Sequence, residues 1–334
     1  MTFISDTGGS GYTTGSWRPS APLRMTPARW VVLALAVPVA LALIGWTGFS
    51  IVGMVANASY PFSFAVPVHD GQVNANLNVG NITVRQVPGG AARVTGTVQY
   101  GLFRPGITAS ATPGGDSVGV NCDGIDENCN VNATLDVPAR TPVTLSSDGG
   151  DIAVSGFDSD LTLSADGGNL TASNLTGHRL LLDTGGGDLT ASGLRGTIQI
   201  GTEGGNINSG DLAGPMRMDT GGGDLNGTGF TGDLTVSTEG GNVDANAVIS
   251  PDVYVQSGGG DVTLVFTQSP QNLQIAAAGG NVNVILPSGD TRYDISANAQ
   301  GGNLNIPPTL ASSTSHNTIT INSGGGDITI SQGG

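Results

Sequence analysis

The residues of this chain with chemistry to offer are 26 carboxylates, 11 arginines, three histidines and two cysteines. Many of the carboxylates share one setting. Asp148, Asp166, Glu203 and Glu239 stand just before a glycine pair, and Asp151, Asp188, Asp224 and Asp261 stand just after one. Paired carboxylates cleave glycosidic bonds when they cluster at one place and break a pattern. Here they repeat with the pattern, which is how solvated turn residues behave. His69, His178 and His316 lie far apart in sequence, with no matching partner near any of them. Lysine is absent, so Schiff-base chemistry is excluded. The glycines precede strand-like segments rather than helices, so no phosphate-binding loop is present. No catalytic residue is expected, and a polysaccharide-active enzyme is the weaker alternative.

Calcium is the stronger chemical rival. Gly- and Asp-rich β-rolls hold it between laps, but with nine-residue repeats of the form G-G-x-G-x-D-x-U-x. This chain repeats at about twice that length and lacks the third glycine at that spacing, so no metal or cofactor is expected. The cysteines, Cys122 and Cys129 in "NCDGIDENCN", enclose six residues. The spacing is not that of a C-x₂-C metal site, and an isolated pair outside the membrane usually bonds, so a disulfide closing this loop is expected. Asp123, Asp126 and Glu127 inside the loop do not follow the order of an EF-hand.

The formal net charge of −15 argues against nucleic acid as a partner, since a phosphate backbone demands a basic face. From Val31 to Ala56 there are 26 residues without a charge, "VVLALAVPVALALIGWTGFSIVGMVA". As a helix this run would be ~39 Å long, enough for a ~30 Å hydrocarbon core with some tilt. Arg18, Arg24 and Arg29 precede it and no Arg follows until Arg85. The positive-inside rule then places the N-terminus in the cytoplasm and the rest of the chain outside. Ala56-Asn57-Ala58 has the form of a signal-peptidase site, but the run is about twice the usual 7–15 residues of a signal h-region, which favours an uncleaved anchor. The expected order is a disordered cytoplasmic tail at 1–30, a transmembrane helix at 31–56 and a linker at 57–72.

The rest of the chain repeats. A Gly-Gly-[Asp/Asn] corner recurs with its polar residue at Asp151, Asn169, Asp188, Asn206, Asp224, Asn242, Asp261, Asn281, Asn303 and Asp327, in steps of 18 to 24 residues. Counted from that residue, apolar side chains fall at +1, +3, +6, +10 and +12. Asp188 is followed by Leu189, Ala191, Leu194, Ile198 and Ile200 in this way. The +1/+3 and +10/+12 pairs are period-two alternations, the mark of short strands with one buried face. Two such strands cannot bury a core alone, but stacked laps can. The fold class is therefore all-β, a single-chain parallel β-solenoid of ~18-residue laps over 146–334, preceded by the N-terminal transmembrane helix. "VGNITVRQV" fits the same template from Asn81, so 73–145 reads as an irregular N-terminal lap and cap carrying the cysteine loop.

The laps "GGDLxxxGL…GDLTVSTEGGNV", following "NATLDVPARTPVTLSSDGGDIAV", resemble the bacterial "putative adhesin" β-strand-repeat family of surface proteins. The resemblance covers about residues 73–334. It implies a β-helical domain on a single-pass or exported protein, engaged in surface interaction or envelope-stress sensing, and it transfers no catalytic residue. The expected function is a membrane-anchored extracellular module that binds a component of the cell envelope or senses envelope stress; a structural spacer or a calcium-stabilised β-roll-like domain is the alternative.

One detail of the corners bears on lap length. Asp and Asn alternate from Asp151 to Asn281. If a lap is about 18 residues, alternation keeps each carboxylate two laps from the next. Unit charges at ~4.8 Å in water repel by roughly 0.9 kcal/mol before screening, and twice the distance halves that. If a full turn took ~36 residues, the aspartates would stack directly and a bound cation would be expected. The sequence favours the shorter lap.

Overall fold

The computed structural model describes residues 58–333 except 69, 79, 102–103, 113–114 and 122–129. The expected tail and transmembrane helix, residues 1–56, lie outside the described residues, as do Cys122 and Cys129, so the expected disulfide does too. Among the described residues no helix is long and apolar enough to cross a membrane, and the one helix is the single 3₁₀ turn Pro308–Leu310.

The repeat folds as two parallel ladders, each lap giving one strand to each. The strand before the glycine corner joins the first ladder, as Arg195–Thr202 does between Thr176–Thr184 and Met216–Thr220. The strand after it joins the second, as Ile207–Ala213 does between Leu189–Ser192 and Leu225–Thr231. Register follows the sequence template: Leu189, Ile207, Leu225, Val243 and Val262 are successive partners, and all are buried. So are Ile198, Met216, Leu234 and Val253 on the other ladder. The step between partners is 18 or 19 residues through this stretch, which establishes the shorter lap.

In the Asp224 lap a small core slot compensates for a large one. The +6 column carries Phe157, Leu175, Leu194, Leu212, Phe230 and Val248, all buried. Where it carries Phe230, the +3 slot shrinks to Gly227, because a Cβ there would lie inside the Phe230 ring. Where it carries Leu194, Ala191 fits. Close packing leaves no slack for two large groups at that lap, whereas the Asp151 lap holds Phe157 together with Val154.

Both ends depart from simple stacking. The first lap, Val73–Asn78 and Asn81–Val87, pairs directly with Val143–Ser147 and Ile152–Ser155. The intervening chain returns on its other side, where Gly115–Asn121 and Asn130–Pro138 continue the two ladders. The last lap, Thr318–Ser323 and Ile328–Gln332, likewise slots between Asn272–Ala277 with Val282–Leu286 and Asp294–Ala299 with Leu304–Asn305. The lap that precedes it in sequence is thus the outermost in space. The loops on either side of this lap meet through Tyr293, which is buried and paired with the 3₁₀ segment by Tyr293 N–H to Leu310 C=O at 2.9 Å.

Residues 57–72, expected as a linker, contribute the strand Ala58–Ala65, antiparallel to Arg93–Tyr100. The reason is aromatic. In a chain with 5% aromatics, Tyr60, Phe62 and Phe64 alternate along this strand. Phe62 is buried, Tyr60 meets Tyr100 edge-on at 5.8 Å, and the Arg104 guanidinium covers Tyr60 at 4.1 Å. Gly96 leaves the space that the Phe62 ring fills.

Candidate functional site

The corner residues form one continuous column. Asn81 Oδ1 accepts the Asp151 N–H at 3.2 Å, and Asp151 Oδ1 accepts that of Asn169 at 2.9 Å. The same bond links Asn169 to Asp188, Asp188 to Asn206, Asn206 to Asp224, Asp224 to Asn242, Asn242 to Asp261 and Asp261 to Asn281, at 2.6–2.9 Å. Asn281 then bonds Asp327 at 3.0 Å, and Asp327 bonds Asn303 at 2.7 Å. In sequence Asn281 and Asn303 are consecutive and break the alternation. In space the intercalated last lap puts Asp327 between them and restores it. Asn206, Asn242, Asn281 and Asn303 also donate their side-chain N–H to the preceding Asp, at 3.1–3.3 Å. Asp188, Asp224, Asp261 and Asp327 each therefore gain a second donor, which another Asp could not supply at neutral pH.

The glycine before the polar residue is fixed by stacking. A Cβ on Gly205, Gly223 or Gly241 would overlap the carbonyl of the same glycine one lap back. The first glycine of the corner differs between lap types. On the Asp laps Gly185, Gly221, Gly258 and Gly324 face a backbone carbonyl that a Cβ would strike. On the Asn laps that slot holds a side chain: Asp166, Glu203, Glu239, Ala278 or Gln300. The earliest Asp lap is the exception, with Asp148 there.

A feature not expected from sequence lies one residue before that slot. Thr184, Thr202, Thr220, Thr238, Ser257 and Ser323 are buried polar residues on the ladder's inner side. Their hydroxyls bond the corner backbone; Thr220 Oγ1 meets Gly223 C=O and accepts the Gly223 N–H, both at 3.1 Å. They satisfy backbone groups that the tight corner would otherwise leave buried and unpaired. Their recurrence in "TGGG", "TEGG" and "SGGG" was the available signal.

An open concavity of about 740 Å³ lies on the outer face of the first ladder beside these corners. Four carboxylates line it: Asp183, Glu203, Asp219 and Glu239. Each comes from a successive lap. The Asp laps supply Asp183 and Asp219 from the strand, and the Asn laps supply Glu203 and Glu239 from the corner. Gly201 and Ser237 occupy the strand positions in register with Asp183 and Asp219, and their small size keeps the groove open. Asp219 is paired with Arg217 at 2.6 Å. Asp183 is exposed as a residue, but its carboxyl is partly desolvated. This desolvation raises its pKa above the ordinary carboxylate value, and the charges of Glu203 and Asp166 raise it further.

The sign of that shift sets an expected result. A carboxyl with a raised folded-state pKa binds protons more tightly folded than unfolded, so it weakens the fold once it is ionised. Asp183→Asn should therefore raise the melting temperature at pH 7. The gain should vanish as the pH falls through the raised folded-state value and below that of the unfolded chain. A pH-independent difference between the two proteins would refute the assignment.

A second concavity, about 630 Å³, lies at the opposite turn of the early laps, with Arg140, Asp158, Asp160, His178 and Arg195 around it. The Asp158 carboxylate accepts from Gln86, and Asp160 accepts the Arg179 N–H at 3.0 Å. His178 is exposed here, and His316 is exposed in the segment before the last lap; His69 lies outside the described residues. Among the described residues no three His, Cys, Asp or Glu side chains are gathered so as to hold a metal ion.

No curated protein matches the chain. A solved structure described as a "putative cell adhesion protein" from Clostridium sporogenes is 12% identical, over 83% of this chain and 100% of the other, with a TM-score of 0.18. A "putative lipid binding protein" from Parabacteroides distasonis is 11% identical, over 83% and 97%, with a TM-score of 0.35. A "putative adhesin" from Bacteroides fragilis is 14% identical, over 82% and 97%, with a TM-score of 0.34. The family model described as Toastrack DUF4097 matches residues 118–332, from the N-terminal cap through the last intercalated lap. That is well over half of the sequence, and the chain belongs to the Toastrack DUF4097 family.

Proposed function

We propose that this protein is a membrane-anchored extracellular binding module whose acidic groove receives a cationic component of the cell envelope. The observation that carries the reading is the groove's construction. Four successive laps each place one carboxylate along it, at positions fixed by the hydrogen-bonded corner column. A preset row of carboxylates, of which Asp219 carries the Arg217 partner and the others leave net negative charge, focuses a field along the face and attracts cations without rearrangement. Anchoring rests on the uncharged run 31–56 and the arginines before it.

The full chain, immobilised and exposed to envelope extract, should enrich a defined basic component. High salt should release it, because exposed charge contacts are screened within about 8–10 Å at physiological ionic strength. The Asp183→Asn/Asp219→Asn double variant should enrich it less. Protease added to intact cells should digest the solenoid and leave a membrane-bound N-terminal stub. Absence of any enriched component would mean a passive spacer, and full protection from protease would defeat the topology.

A further inference from the structure

The two ends of the solenoid are finished differently. At the N-terminal end the ladders terminate in antiparallel strands: Ala58–Ala65 with Arg93–Tyr100 on one, and Gly106–Thr112 with Gly115–Asn121 on the other. Pro61 interrupts the outermost edge of the first, as edge strands commonly require. At the C-terminal end the outermost lap is Asp294–Ala299 and Leu304–Asn305, each paired on one side alone, with the last lap.

This lap is an unfinished core. Its +1 residue is Leu304, which is 51% exposed, whereas Ile152, Leu170, Leu189, Ile207, Leu225, Val243, Val262, Val282 and Ile328 in the same slot are 1% exposed or less. Its inward residues Ile295, Ala297 and Ala299 are half-buried where their counterparts are buried. Residues 295–315 contain no charged side chain, in a chain of net charge −15. Free edges are normally protected by charge or cover; here Asp294 and the segment paired with Tyr293 through Ala311 protect only the start of the lap, and residues 295–299 and Leu304–Asn305 carry neither.

We propose that the C-terminal lap is a self-association surface, and that two copies of this chain meet there end to end about a two-fold axis. Three observations select a second copy over an extended peptide. Two parallel edges are open at once, and a second solenoid end presents two edges at the same separation, whereas one peptide covers one edge. The corner column terminates at Asn303, so two ends meet with neutral amides rather than facing carboxylates. An antiparallel register centred on Ala297 also sets Ile295 opposite Ala299 of the second copy and Asp294 opposite Gln300, so the one acid of the strand meets an amide. A two-fold contact uses each copy's C-terminal end once, so the assembly closes as an isologous dimer.

Sedimentation velocity on the purified full chain over a range of concentrations tests this. The wild type should be dimeric, and Leu304→Lys should weaken association at least tenfold with an unchanged circular dichroism spectrum. Should Leu304→Lys unfold, Asn305→Lys, at an exposed edge position, carries the same expectation. A monomeric wild type overturns the proposal. So does a dimer that neither edge variant weakens, since residues 1–57 would then be holding it.

Discussion

Gly223→Ala should cost about 3 kcal/mol or more of stability, while Gly222→Ala beside it should change it by no more than ~0.5 kcal/mol. The two glycines are adjacent in one corner, and composition cannot distinguish them. A Cβ on Gly222 would meet nothing within 4 Å, whereas one on Gly223 would overlap the Gly205 carbonyl and crowd the Asn206 nitrogen at 2.9 Å. The obstacle is backbone, so no side chain can rotate away. Relief requires the laps to separate, and that strains the Asp224 N–H to Asn206 Oδ1 bond of 2.9 Å. Thermal unfolding of both variants checks this; equal losses would mean that the corner glycines serve backbone conformation rather than close stacking.

The second large effect concerns the column. Asn206→Asp should destabilise by roughly 1–2 kcal/mol at neutral pH and low salt. The new carboxylate would sit one lap from Asp188 and one lap from Asp224, each contact repelling by roughly 0.9 kcal/mol at ~4.8 Å before screening. The bond that Asn206 donates to Asp188 at 3.2 Å would also be lost. Salt should shrink the penalty. Acid should as well, because a carboxylate flanked by two others has a folded-state pKa above its unfolded one, and stability recovers as pH falls through it. Asp188→Asn is the control. Its neighbours Asn169 and Asn206 are neutral, and an amide oxygen still accepts the Asn206 N–H, so stability should move by no more than ~0.5 kcal/mol. Denaturant titrations at pH 7 and pH 4 check both variants. A destabilised Asp188→Asn with an unaffected Asn206→Asp would reverse the argument.

The within-lap pattern was legible because burial repeats with the lap: Leu189, Ile207 and Leu225 carry the same position three times over, and a solenoid core demands that. The alternation of Asp and Asn was legible for the same reason, through charge. Lap order was not. A parallel ladder gives every lap the same register and face, so Val282, Leu304 and Ile328 look like sequential neighbours when Ile328 in fact lies between the other two. The only hints were steps that lengthen to 22 and 24 residues and two successive Asn corners, Asn281 and Asn303. The strand Ala58–Ala65 was hidden because its partner lies some 35 residues on and its aromatics belong to no repeat. The groove was half legible. Glu203 and Glu239 were visible as corner residues, but Asp183 and Asp219 lie on strands, and their pairing with the glutamates of alternate laps depends on stacking that no single lap displays.

The central claim is that the last lap lies between the two laps before it. Cysteine pairs test it directly. Asn283 and Thr329 are register partners, as are Thr329 and Asn305, which leaves Asn283 and Asn305 two strands apart. Adjacent strands at ~4.8 Å fall within the Cα separation that a disulfide spans, and ~9.6 Å exceeds it. The Asn283→Cys/Thr329→Cys protein should form the new bridge under mild oxidation, identified by non-reducing peptide mass mapping. Asn283→Cys/Asn305→Cys should not. A bridge in the second protein and none in the first would mean that the laps stack in sequence order, and the continuous Asn–Asp column would be lost with them.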